Sequence, residues 1–116
     1  MWNDLDTVIP SDEDIAAVEE ALGFAFPGSY TNYVRSGGLA NLRVRHRVLA
    51  PAEIIEALQY IPDKSLVPFA DNGCGDNYCW IRSEGPEPAV LFWDHESQSV
   101  LAGAPSFGDW LAANRF

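Results

Sequence analysis

Basic residues are scarce in this chain: seven Lys and Arg stand against 17 Asp and Glu, a net charge of −10 in 116 residues. That balance disfavours nucleic acid as a direct ligand, because a phosphate backbone is bound by clustered Lys and Arg. Long apolar runs are missing too. No stretch approaches the ~20 consecutive apolar residues of a membrane span. The opening Met1-Trp2-Asn3-Asp4-Leu5-Asp6 is acidic where a secretory leader is basic and then apolar. A cytoplasmic protein without a membrane partner is the expectation. Cysteine is limited to Cys74 and Cys79, and histidine to His46 and His95. A Cys-x4-Cys pair with two widely separated histidines lacks the paired spacing of structural zinc sites. Buried free thiols are expected in place of a metal or a disulfide.

What the chain does have is enough apolar content, 47%, for a single domain over residues 1–116. A domain of this length buries roughly two-thirds of the surface its unfolded chain exposes, so neither metal nor disulfide is needed for folding. Residues 1–20 carry seven acids and no base, and residues 66–116 carry seven acids and two bases. Such a field suits a basic protein partner, whose approach it speeds. The plainer reading is that acidity only keeps a small domain soluble.

Helices mark both ends. Ser11 is an N-cap, Asp12, Glu13 and Asp14 complement the first-turn dipole, and Ile15, Val18 and Leu22 share a face up to a stop at Gly23. Pro27 opens a second helix carrying Tyr30, Tyr33 and Val34, closed by Gly37-Gly38. Leu42 to Val48 alternates as a half-buried strand, with Leu42, Val44, His46 and Val48 on one face and Arg43, Arg45 and Arg47 on the other. Pro51 to Tyr60 reads as a third helix. Strands follow at Leu66–Ala70, with Pro68 arguing for an edge or a strand start, at Asn77–Arg82, at Ala89–Asp94 and at Ser99–Ala102. Pro105 opens a last helix carrying Phe107, Trp110 and Leu111. Helices around a run of sequential strands give an α+β class, with about four helices packing a mostly antiparallel sheet.

The segment Val67 to Glu96 is the most informative. Two aromatic strands meet an acidic, glycine-punctuated loop, and carboxylates sit at both strand mouths: Asp71 and Asp76 at one, Asp94 and Glu96 at the other. No Gly-x-Ser-x-Gly, His-Glu-x-x-His or P-loop is present, and the loop Asp71 to Asp76 lacks the spacing and terminal Glu of an EF-hand. Asp94-His95-Glu96 is no acid–base cluster if the strand continues, because neighbouring side chains then diverge. No catalytic residue, cofactor or metal is therefore assigned. Trp80 and Trp93 fall mid-strand, as core tryptophans do, and become binding anchors only if one sheet face is left open.

The order of short blocks resembles a known family. LGFAFPGSY at 22–30, SGG at 36–38, VPFADNGCGDNY at 67–78, VLFWDHE at 90–96, APSF at 104–107 and Leu111 look like the SUKH superfamily (Smi/Knr-like proteins). Ser36 stands where that family often has Asn. The resemblance implies an α+β fold with a curved, mostly antiparallel sheet. It also implies a role found among bacterial single-domain members: immunity proteins that bind a polymorphic or contact-dependent toxin domain, often a nuclease or deaminase. No catalytic residue comes with it.

The leading expectation is a non-enzymatic immunity protein, monomeric or weakly dimeric, that occludes the cleft of a cognate basic toxin. Asp71, Asp76, Asp94 and Glu96 would mimic phosphates, with Tyr78 or Trp93 as an apolar anchor. Two rivals remain: a regulatory scaffold module binding a cellular protein, and a metal-dependent enzyme built on the same four acids.

Overall fold

The structure, a computed structural model, describes residues 9–40, 46–82 and 85–115. Helix α1 (Asp12–Leu22) starts where Ser11 Oγ accepts the Asp14 N–H at 3.0 Å, and it stops at Gly23 in the left-handed region, φ 64°. Arg82 finishes that end from a distant strand, donating through Nη1 to the Leu22 carbonyl. Helix α2 (Gly28–Arg35) follows Pro27, and the Glu87 carboxylate accepts the Ser29 N–H and hydroxyl at its first turn. An anion at a helix N-terminus meets the orphan N–H groups and the dipole together.

Of the alternating segment, His46 and strand β1 (Arg47–Val48) are described; residues 42–45 lie outside the described set. Where it is described, the alternation holds: Arg47 reaches for carboxylates while Val48 packs on the core. Helix α3 (Pro51–Leu58) is shorter than the spacing suggests, since Gln59 and Tyr60 form a turn. Lys64 Nζ donates to the Leu58 and Ile61 carbonyls at 2.8 and 2.7 Å, so a cation satisfies the end of the helix.

Strands β2 (Leu66–Asp71), β3 (Asn77–Ile81), β4 (Val90–Trp93) and β5 (Val100–Ala104) complete an open, five-stranded antiparallel sheet in simple sequential order. Pro68 is neither at an edge strand nor at a start. It is the third residue of β2, opposite Cys79, beside a register shift before Ala70. A bulge is the other place where a sheet tolerates the missing donor. Beside it, the Phe69 carbonyl accepts the Leu49 N–H at 2.8 Å. Helix α4 (Phe107–Asn114) is capped by Ser106, which accepts the Asp109 N–H at 3.2 Å.

All four helices described add to one core against one sheet face: Ile15, Val18 and Leu22 from α1, Tyr30 and Val34 from α2, Ile54 from α3, and Phe107, Trp110 and Leu111 from α4. Trp80 is its centre, fully buried, stacked at 4.5 Å on Phe69 and met edge-on by Tyr30 at 5.1 Å. Burial raises the pKa of the Tyr30 phenol, whose hydroxyl donates to the Leu49 carbonyl at 2.7 Å. The other sheet face has a smaller cluster of Leu66, Cys79 and Trp93 closed over by Ile61, which follows α3. Both tryptophans of the hairpin are therefore covered.

Candidate functional site

The register sets Asp71, Asn77 and Trp93 side by side across β2, β3 and β4 on the sheet face away from the main core. They floor a cleft of about 650 Å³. Glu53, Glu56 and Tyr60 from α3 and the turn after it form one wall, and His95 and Gln98 from the β4–β5 turn form the other. Among the described residues, Arg47 is the one Lys or Arg lining it. This cation is already engaged: its guanidinium donates to Glu53 at 2.6 Å and to Asp71 at 3.1 Å. Glu53 also accepts the Ala50 N–H at 2.8 Å and so fixes the start of α3.

Two loops form the open end of the cleft. Gly73 and Gly75 turn the β2–β3 loop at φ 80° and 98°, a backbone region that suits glycine. Asp71 accepts the Gly73 N–H, and Asn72 accepts the Cys74 N–H and donates to Asp76. Asp76 then crosses to the β4–β5 turn, where its Oδ1 accepts both the His95 N–H at 3.0 Å and the ring Nδ1–H at 2.6 Å. Strand β4 ends at Trp93, so side-chain alternation does not separate Asp94 from His95. Asp94 caps the turn, accepting the Glu96 and Ser97 N–H groups.

The hydrogen bond from His95, with its Asn72 partner, holds the Asp76 carboxyl down at about 2. The same bond raises His95 above its ordinary value. Ligand atoms of Asp76, Asp94 and His95 lie within 4.8 Å of one another, but two of the three already satisfy each other, and exposed acidic groups commonly gather without an ion. Among the described residues, no hydroxyl or thiol is hydrogen-bonded to the other His95 ring nitrogen, and Cys74, Cys79, His46 and His95 are not gathered. Cys79 is a buried thiol, pushed up to about 12 by burial, whereas Cys74 is exposed on the loop. The expectation that both thiols are buried thus fails for Cys74, because the loop it sits on projects from the sheet.

Of the six residues singled out by sequence, Asp71, Asp76, Asp94 and Glu96 belong to the two strand mouths at this end of the sheet, with Glu96 exposed. Trp93 is only 4% exposed, so it lines the cleft without protruding from it. Tyr78 is on the opposite face, half-buried between Trp110 and Phe92, with its hydroxyl 3.3 Å from His46 Nε2. Trp93 and Tyr78 therefore face different sides of the sheet. Sequence reasoning passed over Glu53, Glu56 and Tyr60. Their signal was present in the outward acids one helical turn apart and in a tyrosine just past the helix end, left 79% exposed.

The family model of the SMI1 / KNR4 family (SUKH-1) matches residues 9–113. The chain belongs to this family. No curated protein sequence matches it. The SUKH-1 match spans α1 to α4, so the cleft and both loops lie inside the family domain. No helix among its described residues is long and apolar enough to cross a membrane.

Proposed function

We propose that this SUKH-1 domain is a non-enzymatic immunity protein that binds a basic toxin domain, a nuclease being the kind it suits best, and blocks its substrate site. The observation that carries the reading is the acidic end of the sheet. Asp71 at the end of β2 and Asp76, Asp94 and Glu96 from two loops lie at this end, Glu53 and Glu56 continue the field along α3, and Arg47 is the single cation among the described residues lining the cleft. Carboxylates spaced along a surface present to a nuclease what a phosphate backbone presents, and an opposed field speeds encounter and rejects wrong partners. The SUKH-1 membership supports the same reading, since such domains are often immunity proteins. Cytoplasmic residence follows from the role, because a toxin is met where it acts.

Catalysis is not part of this reading. The Asp76–His95 pair ties one loop to another, and among the described residues no hydroxyl or thiol is hydrogen-bonded to its exposed ring. The test is co-expression of the adjacent reading frame with and without this chain. Restored growth together with co-purification supports immunity. A harmless neighbour, or toxicity unchanged by this chain, rejects it in favour of a scaffold role.

A further inference from the structure

The two edges of the sheet are treated differently. At one edge β1 carries Arg47, whose side chain is tied to Glu53 and Asp71. Charge is a usual protection of a strand edge. At the other edge β5 reads Val-Leu-Ala-Gly-Ala, with no Lys, no Pro and no charge. Residues 100–103 are all exposed, Val100 at 41% and Leu101 at 59%, and among the described residues no strand lies outside them. Regular pairing with β4 runs from Val100 to Ala102 before a register shift at Gly103. An apolar, unpaired edge of this kind is a template for a further strand.

Charge decides which strand. Between Arg82 and Arg115 the chain has no Lys or Arg and five acids. Asp94 and Glu96 stand in the turn that leads directly into β5, and Asp109 lies just beyond its other end. A second copy of this chain would bring another net charge of −10 against the same edge, which like-charge repulsion opposes. We propose that β5 is a strand-addition edge on which a basic protein partner lays one of its own strands, antiparallel to β5, its Lys and Arg meeting the β4–β5 turn. The inference rests on the reading of the partner as a basic protein and adds the way it docks: backbone pairing at β5 supplies contact, and the acidic turn supplies selection.

The probe is a nine-residue peptide of alternating Val and Thr ending in Lys-Arg, N-methylated along one edge so that it cannot stack on itself. Its controls end in Glu-Glu, or are N-methylated along both edges. Amide spectra of the full chain are recorded with each. Expected are shifts at residues 100–104 with the basic peptide alone, and about fivefold weaker binding by Leu101→Lys, a change at a 59% exposed residue outside both core clusters that should leave the melting temperature little changed. Shifts confined to residues 71–76 and 94–96, or equal shifts with the doubly methylated peptide, would show charge attraction without strand pairing and overturn the inference while leaving the acidic surface intact. No binding by the basic peptide, or concentration-dependent dimerisation in light scattering that Leu101→Lys abolishes, overturns it as well. Failure of toxin rescue with β5 pairing present would instead reject immunity and retain the edge.

Discussion

A methyl group at Gly75 would stand 3.0 Å from His95 Nδ1, on a backbone at φ 98° that L residues rarely adopt. Gly75→Ala should therefore cost about 1–3 kcal/mol of stability, read by denaturant unfolding, and loosen the bond between Asp76 and His95. That bond is one ion pair seen from two sides, and its pH dependence has two limits. The His95 contribution is complete below the ordinary 6.5 and fades as pH rises through its raised folded value. The Asp76 contribution is complete above the ordinary 3.8 and fades as pH falls through about 2. The loops are thus tied most firmly from about pH 4 to about 6.5. In an NMR titration, Asp76→Asn should bring His95 down toward its ordinary value; an unchanged midpoint would show that the two side chains are not coupled in solution. The glycine turns were legible from composition, but the Asp76–His95 pair was not. Alternation was extended one residue too far into a strand that stops at Trp93.

Helix α1 is written almost completely in local sequence, from the Ser11 cap to the Gly23 stop, because both signals act within a turn. Its remaining partner, Arg82, and the Glu87 anion at the start of α2 come from 60 and 58 residues away, and no local pattern announces them. Strand faces were also legible: Trp80 and Tyr78 look one way, Cys79 and Ile81 the other. What alternation alone does not reveal is which face the helices cover, and hence that Trp93 is floor and Tyr78 belongs to the other side. The strands and helices depend on one aromatic cluster. Trp80→Ala should cost about 3–5 kcal/mol, as removal of a buried ring usually does. Tyr30→Phe should cost about 1–3 kcal/mol, because it leaves the buried Leu49 carbonyl without its donor. Thermal or denaturant unfolding of both variants checks this; a Trp80→Ala cost below that of Tyr30→Phe would contradict the aromatic cluster as the main support.

The whole molecule carries a strongly negative charge, and Arg47, the one described cation lining the cleft, is neutralised by the protein's own carboxylates. Arg47 is 58% exposed, so its ion pairs are worth little to stability. Arg47→Ala should shift stability by less than about 1 kcal/mol, yet it should quicken association with a basic partner by freeing Glu53 and Asp71. Asp94→Lys with Glu96→Lys should slow association, more at low salt than at high salt. Stopped-flow rates over a salt series test both; salt-independent rates would exclude steering. The family and its α+β architecture could be recognised from short blocks in order, since they are largely turns, caps and core aromatics. The partner surface is the least legible part, because exposed acids satisfy no packing rule and mean something only once two loops and a helix bring them together.

Stoichiometry separates a plug from a catalyst. Residual activity of the purified toxin, titrated with this chain at concentrations well above their dissociation constant, should fall linearly and vanish at one chain per toxin. Loss of activity at a small fraction of that ratio, growing with incubation time, would mean that the chain turns over a substrate and would contradict the account.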